Sequence, residues 1–234
     1  IYLLKYLYGG EMMANEQNGR LLSLTLTNGT IDTIEKDYEK LKIRGSVKVL
    51  HDVQVKEIST HGYSLFQSQV ISEILKNTGK CVLNGDNKVE KLTNRGILKI
   101  NKGEINQLTS SGSLTIMDII HVTQINAIGV VQGKEIHSDS FYLKLAGTNK
   151  IDLLIANDIC VEKTKMNLTS WNKRLICQQI KGDTIRLAHT IAKTVEGNEV
   201  TINKKCEIQK LYYKDHYTIS PLATVHQIIR REES

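Results

Sequence analysis

The chain has 234 residues, 40% of them apolar and 24% charged, and 31 Lys and Arg against 25 Asp and Glu give a net charge of +6. This is the composition of a globular chain long enough for a substantial core, and one proline with 16 glycines excludes collagen-like, proline-rich and linker-dominated polymers. No apolar run approaches the roughly 20 residues that cross a bilayer as a helix, and a pI near 9.0 suits an anionic partner without naming one.

At the N-terminus, Gly9-Gly10-Glu11 precedes Met12-Met13. Gly-Gly-Glu ahead of methionine is how a translated ribosome-binding site reads. Translation is therefore expected to begin at Met12 or Met13, with residues 1–17 a disordered or wrongly assigned segment outside the fold. The amphiphilic set Tyr2, Leu3, Leu4, Tyr6, Leu7 and Tyr8 leaves a short membrane-associating stretch as the alternative.

From there the chain is ruled by a repeat. Gly29, Gly45, Gly62, Gly79, Gly96, Gly112, Gly129 and Gly147 are 16, 17, 17, 17, 16, 17 and 18 residues apart. At an average glycine frequency this regularity has a chance on the order of one in a hundred thousand. The residues after each glycine alternate: Val47 and Val49, Ser64 and Phe66, Cys81 and Leu83, Leu98 and Ile100, Leu114 and Ile116. Alternation places every second side chain on one face of a strand. A unit of short strands this small cannot bury its own apolar face, but stacked on its neighbours it can. About 17 residues of short strands and tight turns make one triangular coil of a parallel β-helix, with the glycines at a corner needing positive φ or close backbone approach.

Past Gly147 the glycines thin out, yet Ile151, Leu153, Ile155, Ile159 and Val161 continue the alternation. Thr164 to Lys173 reads as a loop. Gly182, Ile185, Leu187, Ile191 and Val195 resume the rungs, and Val200, Ile202, Cys206 and Ile208 repeat at six residues. From Gly29 to about Arg230 there is room for roughly 12 rungs. Four cysteines (Cys81, Cys160, Cys177, Cys206) contain no CxxC pair. Cys160 and Cys177, one rung apart, are expected to stack as small core residues rather than form a disulfide, and a reducing cytoplasm is the expected compartment.

The rungs Gly96-Ile-Leu-Lys-Ile100 and Gly112-Ser-Leu-Thr-Ile116, together with the stretch from Thr190 to Ile208, resemble the bactofilins, polymer-forming bacterial cytoskeletal proteins, in their longer Gram-positive type. The resemblance covers residues 18–230, leaving 231–234 as a tail. It implies a right-handed parallel β-helix that assembles end to end without nucleotide, with itself or a paralogous bactofilin as partner. It further implies a cytoplasmic scaffold, with contact at the inner face of the membrane as a variant, that organises cell shape, envelope or motility structures. Catalysis, cofactors and nucleic acid are not expected.

Independently of that likeness, the ends of a β-helix carry unbonded backbone groups that invite another copy. The residues singled out for self-association are Leu22 and Leu24 in the first rung, and Leu211, Tyr213, Tyr217, Ile219 and Val225 near the other end. The alternative is that these fill the final core and Gln227–Ser234 folds over as a cap. Seven histidines (His51, His61, His121, His137, His189, His216, His226) lack ligand spacing and are expected at turns or the surface, so no metal is expected. Two rivals remain. A hexapeptide-repeat acyltransferase needs sustained six-residue repeats, which the sequence shows only briefly. A monomeric basic adaptor would use Lys40, Lys42, Arg44 and Lys48, or Lys204, Lys205 and Lys210, to bind an anionic surface, although such clusters read first as solvated faces.

Overall fold

A computed structural model describes residues 7–8, 12–17, 20–34, 38–163 and 173–231 of the protein. The fold is all-β, a β-solenoid of about 12 turns with ~17 residues per turn. It divides into two compact units, residues 1–120 and 121–234.

The first unit contains β1 (Leu7–Tyr8), β2 (Met12–Gln17), β3 (Arg20–Ile31), β4 (Lys40–Val49), β5 (Val53–Gln54), β6 (Glu57–Thr60), β7 (Tyr63–Phe66), β8 (Val70–Asn77), β9 (Lys80–Asn94), β10 (Ile97–Ser110) and the start of β11 (Ser113–Leu145). From β3 onward the partners are parallel and one coil apart: Thr60 opposes Asn77, Asn77 opposes Asn94, and Cys81 opposes Leu98. Each coil sends three pairs of side chains inward. In the coil beginning at Leu75 these are Leu75 and Asn77, Cys81 and Leu83, and Asn87 and Val89, all buried. Two six-residue steps and one of five, from Asn87 to Leu92, complete the coil, so the six-residue spacing expected only near Val200 recurs in this unit without being sustained.

The glycine corner acts by contact, not by torsion. A Cβ built on Gly62 would lie 2.0 Å from the carbonyl oxygen of Gly45, and one on Gly79 would lie 2.1 Å from that of Gly62. Those carbonyls bond the next coil, as in Lys80 N–H to Gly62 O at 2.8 Å. Among the repeat glycines only Gly29 (φ 117) lies in the region that favours glycine on torsional grounds.

Two residues before each of four corner glycines lies a buried polar side chain that sequence patterning passed over. Thr60 donates to Asn77 Oδ1 (2.8 Å), Asn77 Nδ2 donates to Asn94 Oδ1 (2.8 Å), and Asn94 Nδ2 donates to Ser110 Oγ (3.0 Å). Asn77 Oδ1 also accepts from Gly79 N–H (3.1 Å), and Asn94 Oδ1 from Gly96 N–H (3.1 Å). The ladder thus ties each coil to the next and supplies a partner to the corner backbone.

Part of the segment expected outside the fold has a place in it. Met12–Gln17 pairs antiparallel with β3, as does Leu7–Tyr8, so backbone groups on that edge of β3 gain partners.

The second unit continues β11 and adds β12 (Thr148–Lys163), β13 (Arg174–Leu187), β14 (Thr190–Ile202), β15 (Glu207–Ile219) and β16 (Thr224–Arg230), each parallel to its predecessor. Coil length varies here, which explains why the glycine ruler fails. Ile151 opposes Cys177, 26 positions on, whereas Ile180 opposes Val195, 15 positions on. The expected alternation through Leu153 and Ile155 is also corrected. Leu154 and Ala156 are the buried residues, because the chain changes phase after Ile151. The expected loop from Thr164 falls, up to residue 172, outside the described residues.

Cys160 and Cys177 do not stack. Cys160 opposes Tyr142 and Arg186, while Cys177 opposes Ile151 and Ala192, because the long coil puts them out of phase. All four cysteines are free, and all but the half-buried Cys160 are buried.

Candidate functional site

The residues proposed for self-association separate into three groups. Leu24 and Leu211 are fully buried and belong to the core. Leu211 lies between β14 and β16, and Leu24 between antiparallel β2 and parallel β4, so both face inward and neither can meet another molecule. The side chain of Leu22 lies outside the described residues. Tyr213, Tyr217, Ile219 and Val225 lie in the last coil and are accessible to different degrees.

In that last coil, register and exposure disagree. Val225 opposes Ile208 and Ile228 opposes Leu211, both partners being 0% exposed, so Val225 and Ile228 stand at core-facing positions. Yet Ile228 is 42% exposed and Val225 is half-buried. On the neighbouring face Tyr217 opposes Val200 and Ile219 opposes Ile202, whose exposures are 1% each, while Tyr217 itself is 36% exposed. Tyr213 and Tyr217 meet edge to face with centroids 4.6 Å apart, which braces the phenol rings. Ile229 at 38% and Leu222 at 71% exposure extend the apolar area. Val225, Ile228, Tyr217 and Ile219 occupy positions that fill the core in the preceding coil, but among the described residues no coil covers them here.

The backbone has the same character. Among the described residues β16 pairs with β15 alone, and β1 and β2 each pair with β3 alone. Gln227–Arg230 lie in β16 as a further parallel rung, not folded across the end as a cap, while residues 232–234 fall outside the described residues. Beside this face, Glu196 binds Lys181 (3.5 Å) and the guanidinium of Arg231, which pins the chain leaving β16.

Elsewhere the polar groups fall into less open settings. Burial pushes the thiol of Cys81 up to about 12, that of Cys177 up to about 12 and that of Cys206 up to about 11, so all three are protonated at neutral pH. His121 and His137, scattered in sequence, have ring centroids 4.9 Å apart, and His137 Nε2 is 2.6 Å from Glu135. Among the described residues no group of three or more His, Cys, Asp or Glu could hold a metal ion. His189, expected at a turn or the surface, lies at a turn and is only 8% exposed. The basic cluster near β4 is paired in part: Lys40 and Lys76 flank Glu57 at 3.5 and 2.8 Å, which lowers the Glu57 carboxyl below its ordinary range, Lys76 first. No described helix is long and apolar enough to cross a membrane.

No family model matches the chain, and no solved structure matches it. Over 51 residues it is 45% identical to the uncharacterised protein YhbE of Bacillus subtilis strain 168. The matched stretch spans 22% of this chain and 22% of that protein.

Proposed function

We propose that the protein is a nucleotide-independent, self-associating scaffold of the bactofilin kind, in which contacts between copies are the activity. The observation that carries this reading is the unfinished core of the last coil: Ile228 and Tyr217 stand in register with fully buried residues and are themselves 42% and 36% exposed. Water-exposed core positions beside an unpaired strand edge favour a partner that offers both apolar side chains and backbone hydrogen bonds. An edge strand of a second copy offers both. Among the described residues β2 pairs with β3 alone, which offers a second open edge and suits growth beyond a dimer. Such an assembly would serve cell shape, envelope organisation or motility inside a bacterial cell.

Charge at the exposed core positions tests the reading. Ile228→Asp and Val225→Asp are expected to leave the far-UV circular dichroism of the chain unchanged and to reduce its particle size in dynamic light scattering. Burying an unpaired carboxylate in the contact costs several kcal/mol, enough to weaken association by about a hundredfold or more. Particle size unchanged in both variants would exclude this edge as the contact.

A further inference from the structure

Four consecutive turns of the second unit stack at one corner that differs in chemistry from the glycine ridge. Arg174, His189, Lys205 and Leu222 hold equivalent positions there. Leu175 opposes Thr190, Ile191 opposes Glu207, and Glu207 opposes Thr224, which aligns the residues just before them. Backbone bonds stack the turns: His189 N–H donates to Lys204 O (3.1 Å), and Lys205 N–H donates to Leu222 O (2.7 Å).

A cavity of about 310 Å³ opens at this corner, lined by Lys173, Arg174, His189, Lys205, Glu207 and Leu222 among others. Three of those side chains are cations and one is a carboxylate. Lys163 and Lys204 lie close enough to act electrostatically on His189. Lys173 is only 9% exposed, and a cation so far removed from water favours an anion beside it. His189 is 8% exposed, and its Nε2 is buried with no hydrogen-bond partner. A buried ring nitrogen without a partner is costly unless something else occupies that place. Among the described residues, His189 (φ 52) and Lys205 (φ 61) are also the non-glycine residues with positive φ, so both costs fall on the same corner.

We infer that this corner binds a phosphoryl group, with Lys173, Arg174 and Lys205 neutralising its oxygens and the Nε2–H of a neutral His189 donating to one of them. Guanidinium and ammonium groups match phosphate in charge and geometry, and Lys173 and Lys205 alone already outnumber the one carboxylate, which favours an anion over a neutral ligand. Glu207 at the cavity wall is suited to accept from a hydroxyl next to the phosphoryl group. The exposed Leu222 at the same opening is compatible with either a soluble phosphate ester or a lipid headgroup.

The test has two arms. In the first, the full chain is titrated with glycerol phosphate while the His189 ring is followed by NMR against pH. Desolvation, then Lys163, Lys205 and Lys204, hold the His189 imidazole below its ordinary range. A bound dianion is expected to raise that midpoint in a saturable way. In the second arm, vesicles of phosphatidylglycerol are compared with vesicles of phosphatidylcholine by co-sedimentation. Lys205→Asn and His189→Asn are the informative variants, since asparagine tolerates the left-handed backbone at both positions. Each is expected to weaken binding by about tenfold or more, while Lys88→Asn in the first unit leaves it unchanged. Binding of glycerol phosphate supports a soluble ester. Binding confined to phosphatidylglycerol vesicles, with the same dependence on Lys205, supports a lipid headgroup. Absence of saturable binding in both arms overturns the inference, as does binding that neither asparagine variant weakens. Should either variant fail to fold, the wild-type His189 titration and the vesicle comparison decide.

Discussion

Gly79→Ala is expected to destabilise the first unit by at least about 3 kcal/mol, a large effect for one methyl group. The methyl would meet the Gly62 carbonyl oxygen at 2.1 Å, and the other near atoms are the backbone O and C of His61 at 2.6 and 2.7 Å. Backbone in a stacked ladder cannot swing aside as a side chain can, so relief requires opening the coil-to-coil hydrogen bonds, among them Lys80 N–H to Gly62 O. Gly147→Ala is the internal control. Its methyl would meet only the Cγ2 of Val130, at 3.0 Å, and a valine tip has room to give. That variant should stay within about 1 kcal/mol of wild type, since loss of unfolded-state freedom offsets a mild contact. In thermal unfolding followed by circular dichroism, Gly79→Ala should lower Tm by roughly 6–12 °C, with Gly147→Ala within about 4 °C. Equal shifts would remove the contact explanation of the ridge.

Asn77→Ala should cost about 3 kcal/mol through unsatisfied partners rather than through lost volume. The carboxamide accepts from Thr60 Oγ1 and Gly79 N–H and donates to Asn94 Oδ1, Gly79 O and Ile97 O. Removing it strands a hydroxyl and an amide N–H in an interior where Thr60, Asn77 and Asn94 are at most 1% exposed, and leaves Asn94 Oδ1 with the Gly96 N–H alone. Thr60→Val, at the end of the ladder, removes one donor and should cost about 1 kcal/mol. The column begins with Leu26 and Ile43, so the fold accepts apolar residues there when no neighbour depends on them. Chemical denaturation that places Asn77→Ala no lower in stability than Thr60→Val would contradict the ladder.

These two cases mark what could be read from residues alone. The coil was legible because a 17-residue period forces one side chain above another, and a recurring glycine is visible in one dimension. The buried ladder obeys the same period, at Thr60, Asn77, Asn94 and Ser110 ahead of Gly62, Gly79, Gly96 and Gly112. It escaped notice because a search for apolar alternation discards polar positions. Beyond Gly147 the coil length drifts from 15 to 26 residues, so equal spacing no longer means equal position. That drift puts Cys160 and Cys177 out of phase and turns Leu154 inward in place of Leu153.

The candidate site was legible in composition and not in arrangement. The apolar and aromatic character of residues 211–229 pointed to the coil whose core positions are exposed. Leu211 and Leu24, however, are as apolar as Ile228, and only the strands stacked on each side separate buried from exposed. The lysines at 204 and 205 read as a solvated cluster. Their place beside a buried histidine from the preceding coil depends on a 16-residue offset that no local pattern carries.

Electron microscopy of the purified 234-residue chain, with no nucleotide added, tests the self-association account most directly. The unfinished core of the last coil predicts end-joined particles that lengthen with protein concentration and are lost in Ile228→Asp. Single particles of constant size across the same concentrations would contradict it.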